Sequence, residues 1–346
     1  MDKILITQEI ITELKLKIKE QHKDTYKYAN QIYNTYDKFG DFSLITQFTI
    51  LYSRVLGIYK SNYEKSIDVL NKIKRNERLT ECPLVLIAEV DFYLGYSHQY
   101  LGNFIDSFIC YNNAIQNFEK IDFIKPNEEL NIANALINIV ALHKLNDYEE
   151  YDKKDVSKAL SIYKKHKAKF GIPGCYNLYA AFSLHNKNYK DAMMYAKRSL
   201  SLCIELNNEI YTSVCFSNIA NIHALTGEFD KAFLYMKKCQ NIIEKYNNEF
   251  HNALFDKNLA DIYSLKNDLK KTITHYRKAL DFFEAKGNKD ILLEIYKGLT
   301  EIYVKTNQYK KAFMFQQKYL DIKQSIFKFD KLSALYKNNS KILENL

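Results

Sequence analysis

The chain has 346 residues, of which 47% are hydrophobic, 14% aromatic and 26% charged; this is ample core material and excludes global disorder. Its net charge of +9 comes mostly from lysines scattered along helical patterns, with no dense basic run interleaved with aromatics. That distribution argues against direct nucleic-acid binding and for a solvated, lysine-rich surface.

Only 3 prolines and 9 glycines occur. Pro83, Pro126 and Pro173 each precede a helical pattern, so an almost wholly helical chain is predicted. The opening segment, MDKILITQEIITELKLKIKEQ, is amphipathic and studded with acids and lysines, without a long apolar block or a small-residue cleavage site. No stretch approaches a membrane span, so no membrane insertion is expected and the cytoplasm is the expected compartment. Residues 1–40 are predicted to form an N-terminal helical pair, a divergent first repeat in which DTYKYANQIYNTY supplies Tyr26, Ala29 and Tyr33.

A repeat array is predicted over 41–319. SNYEKSIDVLNKI offers Tyr63, Ser66 and Leu70; YLGYSHQYLGNFIDSFICYNNAI offers Gly95, Gly102, Phe104, Ser107, Tyr111 and Ala114 in the same order. In the next copy the turn is read as lengthened. Its first helix runs to near Tyr148, the acidic EEYDKKD is a loop, and the second helix starts near Val156 with Ala159 and Tyr163 in place.

From residue 170 on, one statement recurs every forty residues. KNYKDAMMYAKRS (187–199), GEFDKAFLYMKKC (227–239), NDLKKTITHYRKA (267–279) and NQYKKAFMFQQKY (307–319) place Tyr189, Phe229, Leu269 and Tyr309 at a turn. A small residue follows three positions later at Ala192, Ala232, Thr272 and Ala312. Nine positions before each turn residue stands another small residue, Ala180, Ala220, Ala260 or Thr300. Small residues let two helices approach closely while the turn aromatic covers the gap between them. One such hairpin cannot bury its apolar face alone, so copies must stack. The fold class predicted is all-α, a right-handed α-solenoid of about eight antiparallel helix pairs.

The C-terminal segment, 320–346, spaces Ile322, Ile326, Phe329, Leu332, Tyr336 and Leu343 as a helix without a new repeat. It is expected either to cap the array or to bind a partner.

These residues resemble the tetratricopeptide repeat: small at the eighth position, aromatic at the eleventh (Tyr263, Tyr303), and glycine or asparagine at the turn (Gly227, Asn267, Asn307). The period is forty instead of thirty-four. Forty-residue repeats resemble those of the Rap-type peptide-pheromone receptors of low-GC Gram-positive bacteria, a source that the abundant Lys, Asn, Ile and Tyr also fits. That resemblance implies that first-helix asparagines such as Asn218 and Asn258 grip a short peptide. The opening segment is too short for the helix-turn-helix found in some of those receptors. No motif supports carrying over the phosphatase-type activity of others.

There is no GxxxxGKS loop, no GxGxxG, no HExxH and no GxSxG, so no enzymatic activity, cofactor or metal is assigned. His98, His143 and His223 fall at the eleventh position and read as core substitutes for tyrosine. Cysteines 82, 110, 175, 203, 215 and 239 are too far apart for a CxxC clip and read as reduced core thiols. In a tetratricopeptide array the residues flanking the eighth position line the inner groove. They are Asn177, Ser217, Asn218, Asn221, Lys257, Asn258, Asp261, Lys297 and Glu301, with Asn138 in the lengthened copy. Asparagine presents a donor and an acceptor together and can pair with an extended peptide backbone of any sequence. An asparagine-rich composition also leaves amides wherever solvent allows. The expected partner is a protein or peptide, held as a scaffold or sensed by a regulator whose superhelix changes shape.

Overall fold

A computed structural model describes residues 3–143, 150–246 and 248–324. These form helices α1 (Gln8–Lys19), α2 (Thr25–Thr35), α3 (Phe42–Lys60), α4 (Tyr63–Lys74), α5 (Leu84–Tyr100), α6 (Phe104–Glu119), α7 (Pro126–His143), α8 (Glu150–Lys165), α9 (Ile172–His185), α10 (Tyr189–Glu205), α11 (Glu209–Leu225), α12 (Phe229–Tyr246), α13 (Glu249–Leu265), α14 (Leu269–Lys286) and α15 (Lys289–Lys305). A last helix, α16, covers 309–324. The fold is all-α and built of consecutive helix pairs. Its one departure among the described residues is an isolated parallel bridge between Ile4 and Tyr36. The predicted C-terminal helix lies, from residue 325 on, outside the described residues.

One prediction fails at the lengthened copy. The acidic run EEYDKKD is expected to be a loop, but from Glu150 on, six residues ahead of Val156, it belongs to α8. Polarity does not exclude a helix, since Glu and Lys are good helix formers, and the run extends α8 ahead of Val156. Tyr148 lies outside the described residues.

The chain divides into two compact units, Met1–Ile139 and Val140–Leu346. The first is organised around α3, where Phe48, Tyr52, Val55 and Leu56 are fully buried. The Asp37 amide donates to the Ile4 carbonyl at 2.7 Å, fastening the segment ahead of α1 to the end of α2. In the pair α5–α6, Gly95 lets Tyr111 lie flat against the helix. A Cβ there would stand 2.9 Å from Tyr111 Cδ1.

The second unit carries the sharp repeats. At each turn within a pair one residue adopts the left-handed conformation: Lys187 (φ 56°), Gly227 (80°), Asn267 (62°) and Asn307 (55°). The next amide closes back on the eleventh-position carbonyl, with Glu228 N to His223 O at 2.8 Å, Asp268 N to Tyr263 O at 2.9 Å and Gln308 N to Tyr303 O at 2.8 Å. This Schellman closure satisfies carbonyls that a helix end leaves open. The predicted small residues Ala192, Ala220, Ala232, Ala260, Thr272 and Ala312 are all buried, while Thr300 is half-buried. The turn residues behave less uniformly. Phe229 and Leu269 pack against core clusters, whereas Tyr309 is 64% exposed and turns its hydroxyl to Asn307 Oδ1 at 2.9 Å.

The eleventh-position rings have partners that the sequence reading missed. In the last three copies each stacks on a ring twelve residues later in the second helix: His223 on Tyr235 (5.5 Å, 21°), Tyr263 on His275 (5.5 Å, 12°) and Tyr303 on Phe315 (5.7 Å, 5°). His223 is thus a stacked member of its pair, and each stack ties a first helix to its second.

Candidate functional site

Within the second unit the first helices α11, α13 and α15, together with the end of α12, enclose a cleft of about 260 Å³. Four of the predicted groove residues line it: Ser217 and Asn218 from α11, Lys257 and Asn258 from α13. They meet because each stands next to the small close-packing position of its copy, which fixes one helix face; Asn258 Nδ2 then donates across to Ser217 Oγ at 3.2 Å.

The side chains differ in availability. Asn218 is half-buried and makes no hydrogen bond among the described residues, nor does Asn221 one turn further on. Both amides therefore keep their donor and acceptor capacity. Ser217 is buried and faces sulfur, with its hydroxyl 3.6 Å from Met236 Sδ and 3.8 Å from Cys239 Sγ.

Lys257 is buried as well. Its ammonium pairs with Asp261 one turn on at 3.0 Å and with Glu294 of α15. Asp261 also accepts a hydrogen bond from the Tyr276 hydroxyl of α14 at 2.6 Å. Burial alone would push the Lys257 pKa down, but Asp261 and Glu294 more than offset it and raise it above the ordinary lysine value. The Tyr276 hydroxyl is raised by burial and by the Asp261 carboxylate. Lys257 is thus a fixed cation that joins α13 to α15.

Asp290, Glu294 and His251 also line the cleft, and the sequence reading did not single them out. The signal was present. Asp290 occupies the register of Ile210 and Phe250, and Glu294 that of Val214 and Leu254, so two acids replace apolar residues of sister copies. Burial holds the His251 pKa below its ordinary value.

The remaining predicted residues are not gathered here. Lys297 and Glu301 are exposed on α15 and do not line the cleft. Asn177 on α9 is half-buried, its Oδ1 sealed without a hydrogen-bond partner among the described residues. Asn138, in the first unit, spends its amide on the Tyr111 hydroxyl at 3.0 Å.

Among the described residues no helix is long and apolar enough to cross a membrane. No curated relative matches the sequence. A tetratricopeptide repeat family model matches residues 251–325. Three similar solved structures have low identity. A Rap protein complexed with competence and sporulation factor is 15% identical, with 92% of this chain and 98% of that chain covered and a TM-score of 0.66. NprR in complex with its cognate peptide NprX is also 15% identical, with 90% and 87% covered and a TM-score of 0.65. Aspartyl phosphate phosphatase F from Bacillus subtilis is 17% identical, with 91% and 79% covered and a TM-score of 0.58. The chain carries tetratricopeptide repeats, matched over 251–325, and the fold that it builds with them is the one seen in Rap and NprR.

Proposed function

We propose that this chain is a non-enzymatic peptide-binding protein that holds an extended peptide, or an extended segment of a partner protein, along the first helices of its second unit. The observation that carries this reading is the pair of side-chain amides at Asn218 and Asn258. They stand in equivalent positions of successive copies, half-buried at one cleft, Asn218 without an internal partner and Asn258 with a single bond. Two amides in register can each bind a backbone N–H and C=O, which gives affinity without reading sequence. The cleft, about 260 Å³, lies below the range of roughly 300–1,000 Å³ usual for a whole small-molecule site. It suits one side chain of a longer ligand. Asn221 extends the polar face, and we place Asn177, Lys297 and Glu301 further along the same path. Ser217, Lys257 and Asp261 shape the wall beneath it.

The structures of Rap with competence and sporulation factor and of NprR with NprX support a bacterial, peptide-responsive regulator as the cellular setting. In that setting the peptide biases a repeat array between two arrangements, and a partner protein senses which one is populated.

The test is a synthetic peptide library screened against the full chain by fluorescence anisotropy. For any peptide that binds, Asn218→Ala with Asn258→Ala is expected to weaken binding about 100- to 1,000-fold, since up to four hydrogen bonds of about 1 kcal/mol each are lost. Unchanged affinity in that variant, or equal loss from lysine substitutions on α12 and α14, sinks the reading.

A further inference from the structure

The six cysteines are free and buried, yet two of them touch. Cys203 Sγ, in the last turn of α10, lies 3.7 Å from Cys215 Sγ in α11. Ser199 Oγ, one turn earlier on α10, stands 3.2 Å from the Cys215 sulfur. The two thiols are also differently poised. The hydrogen bond from Cys215 pulls Cys203 below the ordinary thiol range, against the effect of burial. The same hydrogen bond, with burial, raises Cys215. Burial pushes two others, Cys110 and Cys175, up to about 12. The two thiols are therefore unequal: of the pair, Cys203 is the more readily ionised and Cys215 the one that keeps its proton longer.

We propose that Cys203 and Cys215 form a peroxide-oxidisable dithiol, a modification site that closes to a disulfide across the turn between α10 and α11. In the first step the Cys203 thiolate attacks one oxygen of hydrogen peroxide. The O–O bond breaks, Cys203 becomes a sulfenic acid, and the departing hydroxide takes up the proton released on ionisation to leave as water. In the second step the Cys215 sulfur attacks the Cys203 sulfur. The S–O bond breaks, the hydroxyl leaves with the Cys215 proton as a second water, and the S–S bond forms. Two thiols and one peroxide thus give one disulfide and two waters.

Closure brings the sulfurs from 3.7 Å to about 2.05 Å. The residues belong to adjacent packed helices joined by a three-residue turn. The side chains are 1% and 0% exposed, which shuts out bulky reagents such as oxidised glutathione and favours a water-sized oxidant. Cys203 sits in a terminal turn, where local opening costs least. Ser213, Val214, Ser217 and Asn218, all cleft-lining residues, flank Cys215 on α11. Oxidation therefore fixes one wall of the cleft to α10. The inference does not depend on what the cleft binds.

The full chain is titrated with hydrogen peroxide, the remaining thiols are alkylated under denaturing conditions, and the chain is digested with a glutamate-specific protease, which cuts between the two cysteines after Glu205 and Glu209, and mapped. The expected product is one cross-linked pair of peptides carrying Cys203 and Cys215, two hydrogens lighter than their sum. It should form at about ten-fold lower peroxide than oxidises Cys82, Cys110 or Cys175. In Cys215→Ser, shown to be folded by circular dichroism, the expected product is a dimedone adduct on Cys203, trapped by adding dimedone as the peroxide-treated chain is unfolded. Absence of the cross-link, its formation no earlier than general thiol oxidation, or a bond from either residue to Cys239 instead would overturn the proposal, as would a Cys215→Ser protein without the dimedone adduct.

Discussion

Lys257, read as part of a groove surface, is buried and paired with Asp261 and Glu294. Its copy-mates are Ser217 and Lys297, both polar, and polarity at one register suggests solvent or ligand. What decided the matter was the facing helix, which supplies Glu294 where earlier copies have Val214 and Leu254. That pairing is a property of two copies together and cannot be read from one. Lys257→Met should therefore lower the unfolding free energy by about 2 kcal/mol in urea titrations. This is less than the 3–5 kcal/mol of a fully buried broken pair, because Asp261 and Glu294 keep side-chain exposures of 30% and 34% and can be solvated. Asn218→Ala, which breaks no internal bond, should stay within about 0.5 kcal/mol of the parent. A Lys257→Met protein as stable as the parent would return Lys257 to the ligand face.

Helix pairs were the most legible level, since small residues and turn residues at a fixed period report how closely two helices can lie. The stacks of rings 223 on 235, 263 on 275 and 303 on 315 were not foreseen, although both members recur every forty residues, because spacing within one helix does not say which residues of two helices face each other. The run EEYDKKD was misread for another reason: a charged run reads as a loop by polarity, whereas Glu and Lys are good helix formers, and from Glu150 on the second effect wins. Gly95 offers the sharpest test of close approach. In a solvated helix Gly→Ala is stabilising by about 1 kcal/mol. Here the new methyl would meet the buried ring of Tyr111 at 2.9 Å, so Gly95→Ala should instead destabilise by about 1–3 kcal/mol. The thermal midpoint of that variant should fall, and pairing it with Tyr111→Leu should recover part of the loss.

Across the molecule, periodicity could foretell the architecture but not the division at Ile139 and Val140, because the repeat pattern runs on through α7. Each unit carries a group whose response to acid is measurable. His98 in the first unit and His251 in the second each have a pKa lowered by burial. A histidine depressed in the folded state binds more protons when unfolded, so its contribution is fully present above the unfolded value of about 6.5 and is lost as pH falls toward the folded value. The thermal midpoint should therefore drop between about pH 7.5 and pH 5.5. His98→Asn and His251→Asn should each flatten that slope, and because the two histidines share no hydrogen-bond partner among the described residues their effects should add. A double variant with the slope of either single variant would mean that the two sites are coupled, and an unchanged slope would mean that both imidazoles are solvated in the folded chain.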